Sequence, residues 1–368
     1  MPREPIEILD TTDFRTYRSA PALPERSATG ELDARITSGA PDMRAAIAAP
    51  EPEATTVVPR TVGVLTYNIL AGGGARLDLI EAVIRDSGAD VIGLQEVHRP
   101  ELLATLAQRL GMHHTIVLAA GGWNVGVLSR WPVLETRAPT DSGVDRGLLE
   151  VLLELPDSQR LRLFVTHLSA GFRQRRAGED RRLREIACVL ERMRAAGAPE
   201  EAQVLVGDFN SLAPGERLHA MNVLRHALAV DTARQADSHA LPGHPNVDFI
   251  LPPVARPFRR LLTLASRVAP LAWLCDRVAG IYMPRQVVRQ ARAAGFTDCY
   301  AARHPHPRTR ALTCPAQAPA GRIDYIFASP ALAERLLDCE VLTDTPSRPV
   351  DHASDHRPVL ARFELKQP

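Results

Sequence analysis

Lysine is almost absent from this chain: of 44 basic residues in 368 positions, only Lys366 is a lysine and the rest are arginine. A bias of that breadth reads as a coding preference and is not by itself a device for binding phosphate. Charge of one sign is also missing, since 43 acidic residues leave a net charge of +1. No global field therefore draws the chain to nucleic acid or to a membrane, and any basic footprint must be local. The five cysteines, Cys188, Cys275, Cys299, Cys314 and Cys339, are scattered and odd in number. They show no C-x-x-C spacing of the kind that marks a zinc site or redox pair, and a reducing compartment fits them best. There is no run long enough for a membrane helix; the nearest, from Leu261 to Cys275, is broken by Arg267 and Pro270. The N-terminus, MPREPIEILDTTDF, places acids where a secretory signal needs a basic start and an apolar run. The expectation is a cytoplasmic protein.

What is present suits a soluble, folded protein. Apolar residues make up 45% and charged residues 24%, enough to bury a large core. The length admits two average domains, or one layered α/β domain of about 250 to 300 residues with appendages. Residues 1–59 hold eight prolines and no sustained apolar period, the profile of a weakly ordered extension. From Thr61 a βα rhythm begins. Strands are expected at 62–67, 90–94, 114–119, 124–129, 147–155, 161–167, 203–206, 323–328 and 358–365. Helical faces recur at Leu77, Ile80 and Ile84, at Leu102 or Leu103 with Leu106 and Leu110, and at Leu183, Ile186, Leu190 and Met193. Between about 213 and 300 the strand signal nearly vanishes, and faces such as Leu271, Leu274, Val278 and Ile281 predict a helical insertion. One folded α/β domain is thus expected over 60–366.

Hydrolysis of a phosphate ester needs a positioned water, charge stabilisation at the phosphoryl oxygens and help for the leaving group. Mg²⁺ serves such chemistry with oxygen ligands, commonly one or two carboxylates. Suitable groups stand at strand ends. Asn68 follows V-G-V-L-T-Y, Glu96 follows D-V-I-G-L-Q, His167 follows L-F-V-T, Asp208 and Asn210 follow V-L-V-G, and Asp355-His356 precede the last strand. Polar residues at the ends of apolar strands are not a core pattern, because buried carboxylates and amides are costly without partners.

These motifs, T-Y-N at 66–68, L-Q-E-V at 94–97, T-H-L at 166–168, G-D-F-N at 207–210, R-I-D-Y-I-F at 322–327 and S-D-H at 354–356, resemble in order and spacing those of the endonuclease/exonuclease/phosphatase superfamily. The resemblance spans about 61–365 and implies a four-layer αββα sandwich of two mixed β-sheets with the site where the sheets meet. It implies a metal site of Asn68, Glu96 and Asp355 for Mg²⁺, with Mn²⁺ as a substitute. Asp208 would activate the attacking water, Asn210 would hold a phosphate oxygen, and His356, oriented by Asp324, would bind the phosphate or move a proton. His167 stands where one branch has tyrosine and another a histidine that assists the leaving group. The T-H-L form points away from the abasic-site endonucleases. Arg146, in D-R-G-L-L-E-V, is a candidate phosphate contact.

Each residue has a blander reading: Asn68 as a turn former, Glu96 as a solvated carboxylate, Asp324 paired with Arg322, His167 and His356 as satisfied histidines. The joint order of motifs argues for a site. His98, His113 and His114 are read as structural or surface residues, and His304 and His306 as a solvated loop that could approach substrate. In the insertion, eleven arginines face two aspartates between 253 and 310. Its apolar faces most simply pack on one another and on the cleft rim; the sharper reading is a lid or docking surface for nucleic acid or an acidic membrane. The expected activity is a phosphodiesterase or nuclease. A phospholipid phosphodiesterase, a soluble phosphomonoesterase and a non-catalytic scaffold are the alternatives, and no obligate protein partner is evident.

Overall fold

Apolar residues that alternate along a strand can be buried on both sides only if the sheet lies between two layers, and that is how the strands of this protein are used. The computed structural model describes residues 36–39, 61–119, 122–138, 143–170, 175–197, 201–236, 257–283, 285–306, 311–347 and 350–366. All belong to the compact unit Ala34–Pro368. One sheet has seven strands: β1 (Ile36–Gly39), β2 (Thr61–Asn68), β3 (Val91–Gln95), β4 (His113–Val117), β5 (Val125–Ser129), β12 (Leu336–Val341) and β13 (Val359–Glu364), in the order β1-β4-β5-β3-β2-β13-β12. The second has six: β6 (Val133–Arg137), β7 (Leu148–Glu154), β8 (Arg160–His167), β9 (Gln203–Asp208), β10 (Thr297–Asp298) and β11 (Asp324–Ala328), in the order β10-β11-β9-β8-β7-β6. Both are mixed, with parallel pairs β2–β3 and β8–β9 among antiparallel neighbours.

The inner faces pack on each other through residues such as Val62 and Val64 of β2, Leu163 and Val165 of β8, and Val204 and Val206 of β9. The outer face of the first sheet meets α1 (Leu77–Ser87) and α2 (Pro100–Leu110) through Leu65, Tyr67, Ile80 and Leu106. The outer face of the second meets α3 (Arg175–Ala196) through Phe164, Ile186 and Met193. The layers are therefore αββα, as the motifs implied. The sheets approach closely beside the site: a Cβ on Gly93 would lie 2.5 Å from Val206 Cγ2, so only glycine fits there.

Strand parity places the site. In β2 the inward set runs Val62, Val64, Thr66, Asn68; in β8 it ends on His167, and in β9 on Asp208, while β11 begins on Asp324 two residues before inward Ile326. Each polar residue thus continues an inner face to the point where the apolar core stops.

Four strands that the periodicity did not reveal, β1, β6, β10 and β12, are all sheet edges. An edge strand buries less apolar surface, so its pattern is weak; β6 and β12 show it, with exposed residues inside both. β1 falls within the expected N-terminal extension and pairs antiparallel with β4, Ile36 opposite Val117. The rest of 1–59 lies outside the described residues.

The insertion is helical, with α4 (Ala220–Ala236), α5 (Arg259–Arg267), α6 (Ala269–Tyr282) and α7 (Gln286–Ala293), followed by two-residue β10 and α8 (Cys299–Arg303). Helix α7 packs on α3 through Val287, Val288 and Ala291. The expected packing of the α6 face is corrected: Leu271, Leu274, Val278 and Ile281 are exposed, and the side turned to the protein carries Ala272. A short α9 (Pro330–Ala333) precedes β12.

Candidate active site

Asn68, at the end of β2, is fully buried, and its amide lies between two carboxylates from different sheets. Its Nδ2 donates to Glu96 Oε1 at 3.1 Å and to Asp208 Oδ2 at 3.2 Å, while its Oδ1 accepts the Leu70 N–H at 3.1 Å. Glu96 lies just past β3 with φ 62°, and the left-handed turn costs a non-glycine residue about 1–3 kcal/mol, strain of the kind concentrated at functional positions. Its Oε2 accepts the Ala71 N–H at 2.8 Å. The Ser354 hydroxyl donates to the Asn68 carbonyl at 2.7 Å and accepts the His356 N–H at 3.2 Å, tying the Asp355-His356 loop to β2 across 286 positions of sequence.

Asp208 and Asp324 are register partners on β9 and β11, and His167 is the partner of Asp208 on β8. Burial, then the nearby Asp324 carboxylate, pushes Asp208 up to about 7, against a counteracting pull from His356. His356 Nδ1 meets both Asp324 oxygens, at 3.1 and 3.0 Å, and its Nε2 lies 3.9 Å from Asp208 Oδ2. Burial alone would push this imidazole down; the carboxylate of Asp324, with Cys314 and Asp355 beside it, instead holds it well above the usual histidine range. Asn210, at φ 47°, donates its N–H to Asp208 Oδ1 at 2.9 Å and its Nδ2 to the Leu168 carbonyl at 2.9 Å.

His167 is buried, as His356 is, but has a cation, not a carboxylate, as its nearest partner. Arg146 Nη1 lies 2.8 Å from its Nε2, and because a guanidinium can only donate, Nε2 must accept and the proton sits on Nδ1. Burial, then the charge of Arg146, pushes its pKa well below the usual value, so it is neutral. Its Nε2 is 3.5 Å from Asp208 Oδ2, a contact compatible with the proton that Asp208 carries below about pH 7.

The nine residues proposed from sequence thus gather at one end of the sandwich. Eight are joined through these contacts; Asp355 enters through Ser354 Oγ, 3.5 Å from its Oδ1, and through its place beside His356. No direct bond joins Glu96 to Asp355 among the described contacts. Trp123 was missed. Its ring lies 4.5 Å from the Arg146 guanidinium, 4.9 Å edge-on from His98 and 6.3 Å from His167. No periodic signal marks it, because it sits in the loop before β5. His98, read as structural or surface, is half-buried at this rim, and burial lowers its pKa. His304, by contrast, stacks on Tyr300 at 4.2 Å and contacts the Cys339 carbonyl at 2.9 Å, a structural role.

The donor chemistry suits a hard divalent cation. Four buried carboxylates, Glu96, Asp208, Asp324 and Asp355, converge here, an excess of negative charge that is costly in a dry site without a cation. Asp208, Asp324 and His356 offer ligand atoms within 4.8 Å of one another, as do Cys314, Asp355 and His356. Burial pushes the Cys314 thiol up to about 12, so it is a poor thiolate ligand and the usable donors are mainly oxygen, the preference of Mg²⁺ and Mn²⁺.

The sequence model of the Endonuclease/Exonuclease/phosphatase family matches residues 65–356. A search of curated protein sequences found no match. Among solved structures, the chain is similar to an AP endonuclease from Archaeoglobus fulgidus at 16% identity and TM-score 0.53, covering 83% of this chain and 100% of that one. It is similar to the 3′-5′ exonuclease NExo from Neisseria meningitidis at 18% identity and TM-score 0.52, with the same coverage. It is also similar to a humanized D. rerio TDP2 at 15% identity and TM-score 0.51, again covering 83% and 100%. At these identities the likeness concerns the fold.

Proposed function

Since the chain belongs to the endonuclease/exonuclease/phosphatase family, we propose that it is a Mg²⁺-dependent phosphodiesterase acting on nucleic acid or a related phosphodiester, with a catalytic domain over 60–366 and residues 1–59 as an extension. The observation that carries this reading is the buried polar cluster in which one amide serves the carboxylates of both sheets while Asp324 keeps His356 cationic. Neighbours named as an AP endonuclease and a 3′-5′ exonuclease support a nucleic-acid substrate.

Asn68, Glu96 and Asp355 would hold Mg²⁺, or Mn²⁺ in its place; when bound, the ion supplies neutralising charge at the phosphoryl oxygens. Asp208, with a pKa of about 7, is poised to take a proton from the attacking water at neutral pH. Its Oδ1 accepts the Asn210 N–H at 2.9 Å and its Oδ2 the longer Asn68 Nδ2 bond at 3.2 Å, so both oxygens of the base are positioned. His356 presents Nε2 to a phosphoryl oxygen as a charged donor, its other nitrogen fixed by Asp324. Asn210 lies alongside to hold a second phosphate oxygen. His167 cannot donate through Nε2 in this state, because Arg146 occupies it. We therefore assign the cationic contact near the leaving group to Arg146, with His167 as the residue that orients it. The histidine at this position supports our reading of the T-H-L branch over abasic-site repair.

The five free thiols support a reducing, cytoplasmic setting. A phospholipid phosphodiester is the second reading, favoured by the exposed apolar face of α5 and α6. A panel of DNA, RNA, phospholipid and phosphomonoester substrates with Mg²⁺ or Mn²⁺ tests both. Glu96→Gln should lower turnover on the order of 10²–10⁴-fold with an unchanged circular dichroism spectrum. Metal-independent turnover, or a fully active Glu96→Gln enzyme, would refute the assignment.

A further inference from the structure

Helices α5 and α6 are built inside out. Nine of the eleven exposed large apolar side chains among the described residues lie within 258–281. Leu261 and Leu264 stand out from α5, and Leu274, Val278 and Ile281 from α6, at 64%, 62%, 51%, 48% and 78% exposure. The opposite faces, which meet each other and α4, carry the small residues Ser266 and Ala272. A helix pair meant only to cap the site would turn its large side chains inward.

The charge of this surface has one sign. Arg260, Arg267 and Arg277 are exposed, and Asp276 is the only acidic residue between 257 and 283. That carboxylate is half-buried and accepts the Met221 N–H at 2.8 Å, fastening α6 to α4. Arg277 lies 5.1 Å over the half-exposed Trp273 ring. Exposed aliphatic side chains, arginines and an aromatic side chain together match a helix lying in the plane of a lipid interface. Nucleic acid would meet the arginines but leave the aliphatic side chains in water. A second copy would bring the same cations together with no exposed acid in the patch to receive them. No helix among the described residues is long and apolar enough to cross a bilayer, so the contact is peripheral.

We propose that α5 and α6 dock this protein on an anionic lipid bilayer, the aliphatic side chains entering the boundary between headgroups and acyl chains and the arginines meeting lipid phosphates. The docking does not depend on which phosphodiester is cleaved. The insertion is fastened to the site loops: Arg285 Nη1 donates to the Ala213 carbonyl at 2.8 Å, Asn222 Nδ2 to the Pro319 carbonyl at 2.8 Å, and the Ala316 N–H to the Asp355 carbonyl at 2.6 Å.

Vesicle flotation of the full chain tests the proposal, with phosphatidylcholine alone and with phosphatidylcholine mixed with phosphatidylglycerol. Binding is expected only to the mixed vesicles, with a blue shift of tryptophan emission that Trp273→Phe removes. The combined variant Arg260→Gln, Arg267→Gln, Arg277→Gln should lose about fivefold affinity per arginine. The variant Leu261→Gln, Leu274→Gln, Ile281→Gln should lose on the order of tenfold or more. Both alter exposed positions outside the catalytic machinery, so circular dichroism and turnover of a soluble substrate should be unchanged. Binding without preference for the anionic lipid, or undiminished binding by the leucine/isoleucine variant, would overturn the proposal. So would absence of vesicle binding, whether accompanied by a dimer that the same variant dissociates or by retention on DNA that the arginine variant loses.

Discussion

Asp298→Asn removes one charge from the buried cluster that fastens both ends of the helical insertion to the strand bearing Asp324. Arg322, fully buried at the entry to β11, donates from Nη1 to Asp298 Oδ1 at 3.0 Å and from Nη2 to Oδ2 at 2.8 Å. Its Nε reaches Glu216 Oε1 at 3.1 Å, and its guanidinium lies 4.4 Å from the Tyr325 ring centroid. Glu216 stands before the insertion helices and Asp298 after them, so one arginine closes the loop of chain between. Burial alone would raise the Asp298 pKa, but Arg322, aided by Arg292, lowers it from 3.8 to about 2. At about 1.4 kcal/mol per pKa unit, the ionised carboxylate contributes about 2 kcal/mol of stability. Because the folded-state pKa is depressed, that contribution is complete above the unfolded value near 3.8 and is lost as pH falls through about 2. Chemical denaturation should show Asp298→Asn less stable by about 2 kcal/mol at pH 7, with roughly half of the deficit remaining at pH 3. A variant as stable as the parent at pH 7, or a deficit equally large at both pH values, would refute the reasoning.

Asp208→Asn should abolish turnover yet stabilise the metal-free protein above pH 7 by on the order of 1–3 kcal/mol, since a carboxylate pushed up to about 7 is ionised there at the expense of the fold. The gain should shrink as pH falls from 7 towards 4, which thermal melts across that range would check; a destabilised variant at pH 8 would contradict it. Asp324→Asn leaves His356 without the anion that holds its proton, and kcat should fall on the order of 10²–10⁴-fold. An NMR titration of His356 in the metal-free variant should show its pKa lowered; an unmoved titration would count against the pairing. Arg146→Ala should cost on the order of 10²–10³-fold in kcat, and Arg146→Lys should recover little, because a point charge cannot hold Nε2 of His167 as the planar guanidinium does. Full recovery by lysine would argue for simple electrostatics.

The parts of the site legible in the sequence were those the core makes conspicuous. Asn68, His167 and Asp208 end apolar strands on the inward parity, and a polar side chain there has no explanation in packing. Glu96, Asn210 and the Asp355-His356 loop were legible through motif order. Trp123 and His98 were not, because rim residues in loops follow no period, and Trp123 meets the site through Arg146 and the histidines. Arg322 was weighed as a partner of Asp324, yet its carboxylates are Asp298 and Glu216, brought to it from 24 and 106 positions away. Of the fold, central strands and the helices covering them were readable, and the missing strands are edges. The α6 stripe was readable as a helical face, but amphipathicity does not say which face is turned inward. Here the small residues are inside.

The central claim is that strand-end groups from both sheets converge on one divalent cation. Crystals soaked with Mn²⁺ and measured for anomalous scattering test it directly. The account predicts one strong peak in the cluster, coordinated by the Glu96 carboxylate with Asn68 and Asp355 close by, and its loss in Glu96→Gln crystals. A peak held without Glu96, or none in the wild-type cluster under saturating Mn²⁺, would contradict it.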